Sequence, residues 1–279
     1  MTANYVEGPS APETRSESPS ATFDTSVAHI ARVYDYWLGG KDNYAADREA
    51  AEQAMATVPS LPQGTRANRA FLGRTVRFLA EEAGIRQFLD VGTGIPTANN
   101  THEVAQKIAP DSRIVYVDND PVVLAHARAL LTSSPQGSCD YIDSDLRDVG
   151  HVLRQAARTL DFGKPVAVML VAILHCIPDE DDPQAIVTQL LDAVCPGSYL
   201  VISHPAKDID ADTVRRFATG LNRLLAAKIT PRTHGEVSRF FSGLDLVEPG
   251  VVTVPTWRPD SEAGAAAIAH VWGGVGRKP

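Results

Sequence analysis

The sequence predicts an α/β fold: a Rossmann-like sheet of seven mostly parallel strands, with helices on both faces and an N-terminal helical cap. Three observations carry this expectation. After Gly84 short apolar runs alternate with amphipathic stretches, the mark of βαβ units around a parallel sheet. The first of those runs ends in an Asp followed by a glycine-rich turn, as strands do where a ligand crosses the sheet edge. The last two β-like runs are coupled closely, which suits an antiparallel terminal strand.

Residues 1–22 are dominated by Ser, Pro, Ala, Glu and Thr and lack the apolar surface that would offset ordering entropy, so they read as a disordered tail. Residues 23–84 read as the helical cap. From Ser26 to Leu38, Val27, Ile30, Val33, Tyr34 and Trp37 recur at helical spacing, and Gly39-Gly40 ends the helix. Further helical patterns run over about 42–55 and 66–83. Residues 85–279 read as the sheet domain. Its expected strands are Gln87–Val91, Ile114–Asp118, Cys139–Asp143, Val166–Val171 and Tyr199–Ser203. Helical segments Asn99–Ile108, Pro121–Leu131, Val149–Leu160 and Pro183–Val194 separate them. Helices over Ala211–Lys228 and His234–Phe241 then precede β-like runs at Asp245–Val254 and Ala269–Val275.

The chain has 279 residues, 44% of them hydrophobic, enough for one large α/β core. Its formal net charge is -8, and no basic run could track a phosphate backbone, so nucleic acid is disfavoured as a partner. Cys139, Cys176 and Cys195 show no metal-ligand spacing and cannot all pair, which fits buried thiols in a reducing cytoplasm and no metal site. No signal-peptide pattern and no run of membrane-spanning length is visible, so no membrane partner is expected.

In Phe88-Leu-Asp-Val-Gly-Thr-Gly-Ile-Pro-Thr97, Asp90 closes an apolar strand, and Gly92, Thr93 and Gly94 form the turn. Glycine there lets the backbone bend tightly and approach a ligand, although glycine is also the default residue for any such turn. A dinucleotide site needs a third glycine so that pyrophosphate can reach the helix N-terminus. Ile95, Pro96 and Thr97 stand there instead. That disfavours a nicotinamide-dependent oxidoreductase and is compatible with S-adenosylmethionine, whose methionine part carries no phosphate and whose amino group Asp90 could hold directly or through water.

The second strand ends in Val115-Tyr-Val-Asp-Asn-Asp-Pro121. Asp118 at its carboxyl edge is placed to accept ribose hydroxyls, with Asn119 beside it, whereas Asp120 is placed to cap the next helix, with Pro121 at the first helical position. In Asp143-Ser-Asp-Leu-Arg-Asp148, Asp145 could accept from an adenine amine while Leu146 packs on the ring; Asp148 reads as a helix cap, and the whole stretch also fits a solvated acidic turn. His175, just past the fourth strand, could take a proton from an acceptor or could simply hold its loop. His204 occupies a similar rim position after the fifth strand.

Taken in order, Asp90-x-Gly-x-Gly, Asp118, Asp145 and Leu174-His-x-x-x-Asp-Glu180 resemble the successive motifs of class I methyltransferases. The last is similar to a segment of plant-type and bacterial O-methyltransferases, a resemblance that implies a general base at His175. More narrowly, Ala31-Arg-Val-Tyr-Asp-Tyr-Trp-Leu-Gly-Gly-Lys-Asp-Asn43, the run Val115–Pro121, Val247-Glu-Pro-Gly-Val-Val252 and Trp257-Arg-Pro259 resemble the actinobacterial S-adenosyl methyltransferase family, formerly a domain of unknown function. The resemblance implies the fold and S-adenosylmethionine as cofactor, but no particular acceptor.

The expected activity is therefore methyl transfer to a small-molecule acceptor, which positioning alone can largely catalyse. The rival is a regulatory protein that binds the cofactor or its demethylated product without turnover. The aromatic and charged segment Arg32–Asn43 reads either as an ordinary helix end or as a lid over the cofactor, with Tyr36 and Asn43 as its contacts.

Overall fold

A computed structural model describes residues 24–130 and 133–279. The expected tail lies outside these residues, as does the last position of the helix expected over Pro121–Leu131. Among the described residues eight strands form one sheet: β1 (Gln87–Val91), β2 (Arg113–Asp118), β3 (Ser138–Asp143), β4 (Ala167–Val171), β5 (Tyr199–Pro205), β6 (Asp245–Leu246), β7 (Val252–Thr253) and β8 (Val271–Arg277). Their order is β3-β2-β1-β4-β5-β8-β6, with β7 also on β8. β1 to β5 run parallel, whereas β8 is antiparallel to β5. The order reverses between β1 and β4, which opens a crevice at the strands' carboxyl ends.

The run expected as one strand over Asp245–Val254 is two. Pro249 offers no amide hydrogen and Gly250 sits at φ +85°, so the chain turns at Glu248–Gly250. β6 and β7 then pair with different parts of β8: Leu246 with Gly276, and Val252 with Gly273.

Among the described residues the helices of six residues or more are α1 (Ile30–Leu38), α2 (Ala45–Thr57), α3 (Leu61–Glu81), α4 (Thr101–Ile108), α5 (Pro121–Leu130), α6 (Val149–Ala156), α7 (Pro183–Asp192), α8 (Ala211–Leu221) and α9 (His234–Arg239). Three of the departures from the expected bounds have clear local reasons. α1 starts at Ile30 rather than Ser26, because Ser26 is held by the Asp24 side chain and Ala28 bridges to Leu225. α3 starts earlier, with Pro62 in its first turn, where a missing amide hydrogen costs nothing. α8 stops at Leu221 because the Asn222 amide takes both backbone groups of Ile229, at 2.7 and 2.9 Å, and folds the chain back.

Side-chain alternation along the parallel strands divides the core. Leu89, Val115, Val168 and Leu200 face α6, α7 and α9, including Val152, Leu190 and Val237. Phe88, Ile114, Met169 and Val201 face α3 and α4, including Phe71, Leu79 and Ala105. Each such side chain contributes about 1.5–3 kcal/mol when fully buried, which explains why both faces of this sheet are apolar. A third cluster joins α1 and α2 to α8 through Val33, Trp37, Ala50, Val58, Phe217 and Leu221. The helical preface is thus divided: α3 lies on the sheet, and α1 with α2 lies against α8.

Candidate functional site

The crevice at the β1 and β4 ends opens into a cavity of about 250 Å³ between the sheet edge, α1, α3 and α8. Its floor is the turn after β1. The amides of Gly92 and Thr93 donate to Val117 O at 2.8 and 3.4 Å, while the Gly94 amide donates to Asp118 Oδ2 at 2.8 Å. Both glycines have positive φ, yet for different purposes. A β-carbon on Gly92 would collide with the Ile173 side chain, so that glycine lets the loop after β4 pack. Over Gly94 no protein atom lies within 4 Å of where a β-carbon would stand, and this open space borders the cavity.

Gly92, Thr93, Gly94, Asp118, Asn119, Asp145 and Leu146 all line this cavity. Asp118 is 8% exposed and also accepts from the Asp120 amide at 3.0 Å. Burial raises its carboxyl above the ordinary value, opposed by those two amide donors. Asp145 receives the Arg147 guanidinium at 2.8 Å and the Asn119 side-chain amide at 3.3 Å. Asp120 caps α5 through the Val122 amide and Asp148 caps α6 through the His151 amide, as the sequence suggested.

Asp90 stands apart from the main cavity. It is buried, accepts from Thr101 Oγ1 at 2.6 Å, and lines a smaller cavity with Arg69, Thr93, Tyr116 and Tyr141. Burial pushes its carboxyl up to about 6, with the Thr101 hydroxyl and the Arg69 charge opposing.

From α1 the cavity receives Tyr34, Asp35 and Trp37. The sequence reading placed Tyr36 and Asn43 on the ligand, and neither lines the cavity. Tyr36 lies two helical positions beyond Tyr34, off the shared i, i+3, i+4 face, and its hydroxyl donates to Glu52 at 3.0 Å on the exposed side. Asn43 donates to Asp35 Oδ2 at 2.9 Å, so it supports a lining residue rather than being one.

His175 lines the cavity at 6% exposure, and its Nδ1 has no hydrogen-bond partner among the described residues. Burial, helped by the Arg232 charge, lowers its pKa to about 4, so the ring is neutral near pH 7. His204 is different. Arg232 Nη1 stands 3.0 Å from its Nε2, and its Nδ1 lies 3.1 Å from Pro205 O, which uses both ring nitrogens. Arg232 also donates to Leu174 O, Ile177 O and Asp179 Oδ1, pinning the loop that presents His175. His204 therefore belongs to the scaffold under this loop.

Sequence reasoning missed Arg232, Arg69 and Asn68. A single Arg after Pro231 carries no pattern, and Arg69 and Asn68 fall within an ordinary amphipathic helix. In space, Arg69 and Arg147 are the guanidinium groups among the described cavity residues. Arg147 is neutralised by Asp145 and by Asp181 at 2.6 Å. Arg69 donates to uncharged oxygens, those of Ala98, Asn99 and Asn100 at 3.1–3.3 Å. Asn68 is 4% exposed, and its Oδ1 lacks a partner among the described residues.

The S-adenosyl methyltransferase family profile matches residues 16–279. A DUF574 family protein of Streptomyces avermitilis is 46% identical, with 92% of this chain and 99% of that one covered and a TM-score of 0.88. A methyltransferase candidate of Thermobifida fusca is 42% identical, with 93% and 98% covered and a TM-score of 0.85. The mitomycin 7-O-methyltransferase MmcR, at 16% identity, 92% and 74% coverage and a TM-score of 0.52, shares the fold. No curated protein matches the chain.

Proposed function

The chain belongs to the S-adenosyl methyltransferase family, and on that premise we propose that the cavity between α1, α3 and the β1–β4 edge holds both the cofactor and a small-molecule methyl acceptor. The fold is that of class I methyltransferases, and S-adenosylmethionine is the cofactor of an enzyme whose acceptor is unidentified. Neither the family nor the fold favours the rival reading of a non-catalytic binding protein.

The observation that carries the placement is Asp118. Its carboxylate already bonds the Gly94 amide, borders the cavity, and keeps lone pairs available for a diol. In this reading Asp118 and Asn119 take the ribose, Asp145 and Leu146 take the adenine, and the Gly92–Gly94 turn leaves room for the methionine chain. Asp90 acts from behind the turn, through water. Arg69, which forms no close ion pair among the described residues and whose charge reaches Asp90 only across the smaller cavity, is the group we assign to the cofactor's carboxylate. Tyr36 and Asn43 act at one remove, steadying α1 and Asp35.

When bound, the cofactor supplies an electrophilic methyl group on a sulfonium. The chain's contribution is to hold the partners in line and exclude water, with neutral His175 available to accept a proton from the acceptor. Residues 23–84 serve as the cap and 85–279 as the Rossmann-like domain, α3 being the part of the cap that rests on the sheet. The cytoplasm is the proposed compartment. Cys139, Cys176 and Cys195 are unpaired, and burial pushes the first two thiols up to about 11 and about 12. Among the described residues no helix is long and apolar enough to cross a membrane.

Calorimetry with S-adenosylmethionine, S-adenosylhomocysteine and NAD tests the reading. The first two are expected to bind and NAD to bind far more weakly, because Ile95 and Pro96 occupy the place of a pyrophosphate-binding glycine. Tighter binding of NAD than of S-adenosylhomocysteine overturns it.

A further inference from the structure

The cavity is larger in chemistry than the cofactor residues account for. Those residues come from the ends of β1, β2 and β3 and from α3. A second wall comes from other elements: Trp37 and Leu38 of α1, Val58 at the end of α2, Val214 and Phe217 of α8, and Ile229 after the fold-back. All except Leu38 are 9% exposed or less, Ile229 at 4%. Apart from Leu38 these side chains belong to the third apolar cluster or, in the case of Val214, flank it on α8.

We infer that this wall, which rests on the cavity being a methyltransferase site, receives an uncharged, predominantly apolar acceptor that carries a hydrogen-bonding group. The charges that border the cavity lie elsewhere or are already engaged. Asp145 and Arg147 neutralise each other on the sheet edge, and Asp35 accepts from the Asp42 amide and the Asn43 side chain. Arg69 reaches from α3 toward the turn after β1, where it bonds the Ala98 and Asn99 carbonyls. An acceptor bearing a carboxylate or phosphate against the α8 wall would lose its hydration there with no counter-charge, a cost of several kcal/mol, and an ammonium would have only Asp35 on α1, a carboxylate already held by two amide donors.

The polar atoms that remain unsatisfied fit an uncharged partner. His175 Nδ1 and Asn68 Oδ1 both belong to side chains more than nine-tenths buried in the cavity lining, and neither has a hydrogen-bond partner among the described residues. A hydroxyl or N–H on the acceptor can answer such an atom, whereas a bare hydrocarbon cannot. An imidazole and a carboxamide, both uncharged at neutral pH, select for the hydrogen bond without selecting for charge.

The test is isothermal calorimetry with three probes on one ring frame: 2-naphthol, 2-naphthoate and 2-(aminomethyl)naphthalene, each measured with and without saturating S-adenosylhomocysteine. With the cofactor product bound, 2-naphthol is expected to bind at least tenfold more tightly than either charged probe. Equal or tighter binding of a charged probe, or no binding of any probe at millimolar concentration, overturns the inference. Phe217→Lys should move the preference at least tenfold toward 2-naphthoate, and an unmoved preference in a folded variant removes the acceptor from the α8 wall. Should Phe217→Lys fail to fold by circular dichroism, Val214→Lys reads the same wall. Failure of the cofactor reading is seen separately, as absence of S-adenosylhomocysteine binding while the probe preference persists.

Discussion

His29 Nδ1 stands 2.8 Å from Asp120 Oδ2, which ties the start of the N-terminal cap to the loop that carries Asp118. The tie is part of a buried cluster. Arg32 donates to Asp47 Oδ2 at 2.9 Å and lies 3.6 Å from Asp120 Oδ2, while Asp47 also accepts from the amides of His29 and Tyr44. Two carboxylates at 0–1% exposure therefore share one guanidinium at 4%, with His29 as the nearer partner of Asp120. Cap position and cofactor-loop position are in this way coupled through charge as well as through packing.

Removing Arg32 leaves Asp47 buried without its cation, and Asp120 with the His29 ring alone. Breaking one side of a buried pair costs about 3–5 kcal/mol. Arg32→Ala is expected to lose about that much in a urea titration, followed by tryptophan fluorescence, since Trp37 sits in the same cap. A loss under about 1 kcal/mol, the range of exposed pairs, would show that water enters the cluster.

Asp118→Ala removes the Gly94 anchor and the proposed ribose contacts together. Charge-assisted hydrogen bonds are worth about 1.5–3 kcal/mol each, so affinity for S-adenosylhomocysteine should fall at least about tenfold. Calorimetry on the folded variant measures it. An unchanged dissociation constant would place the ribose elsewhere.

Asp90 makes stability depend on pH in an unusual direction for a carboxylate. Burial raises its folded pKa to about 6, above the value of about 4 expected when unfolded. The folded state then holds more protons between those two values, so stability falls as pH rises through that window and is already lowered at pH 7. The gap between the folded and unfolded values corresponds to about 3 kcal/mol. Asp90→Asn, which keeps an oxygen for Thr101, should flatten this slope and be more stable than the parent at pH 7 but not at pH 4. Urea titrations at the two pH values decide, and a slope unchanged by the substitution would assign it to another group.

The sheet was legible because its signals are local. β1 to β5 are apolar runs bounded by turns, and Asp90, Asp118 and Asp145 mark three strand ends at the spacing of one βα unit each. The rest of the site depends on contacts that spacing does not encode. Arg232 reaches Leu174, Ile177 and Asp179 across more than fifty positions. Tyr36 was chosen for its chemistry, but helical phase turns Tyr34 and Trp37 inward and Tyr36 outward. The Asp245–Val254 run reads as one strand because its apolar pattern continues past Pro249, although the backbone cannot.

Arg69 offers a check on how the cofactor is oriented. If it pairs with the cofactor's carboxylate, Arg69→Ala should weaken S-adenosylhomocysteine at least about tenfold, the worth of a hydrogen bond to a charged group. Adenosine lacks that carboxylate and should bind the variant as it binds the parent. Equal losses for both ligands would mean that Arg69 merely holds the Ala98–Asn100 turn.

The last prediction concerns the cap as a moving part. Tyr34, Asp35 and Trp37 already border the cavity, and His29, Arg32, Asp47 and Asp120 hold α1 against the β2 loop. A ligand of nucleoside size enters this space more readily if α1 swings away, and its contacts should then oppose the next opening. Gly39 ends α1 at φ +86°, whereas a β-carbon on Gly40 would displace the Asp35 carboxylate from its place beside the turn. The pair thus forms a fixed corner, and motion is expected ahead of α1, near the 24–29 segment, rather than at the glycines. Hydrogen exchange with and without S-adenosylhomocysteine tests this: ligand should slow exchange across Tyr34–Asn43 as well as in the loops at Asp118 and Asp145. Protection confined to the Asp90, Asp118 and Asp145 loops would make α1 and α2 a static layer, and the cavity would have to fill by another route.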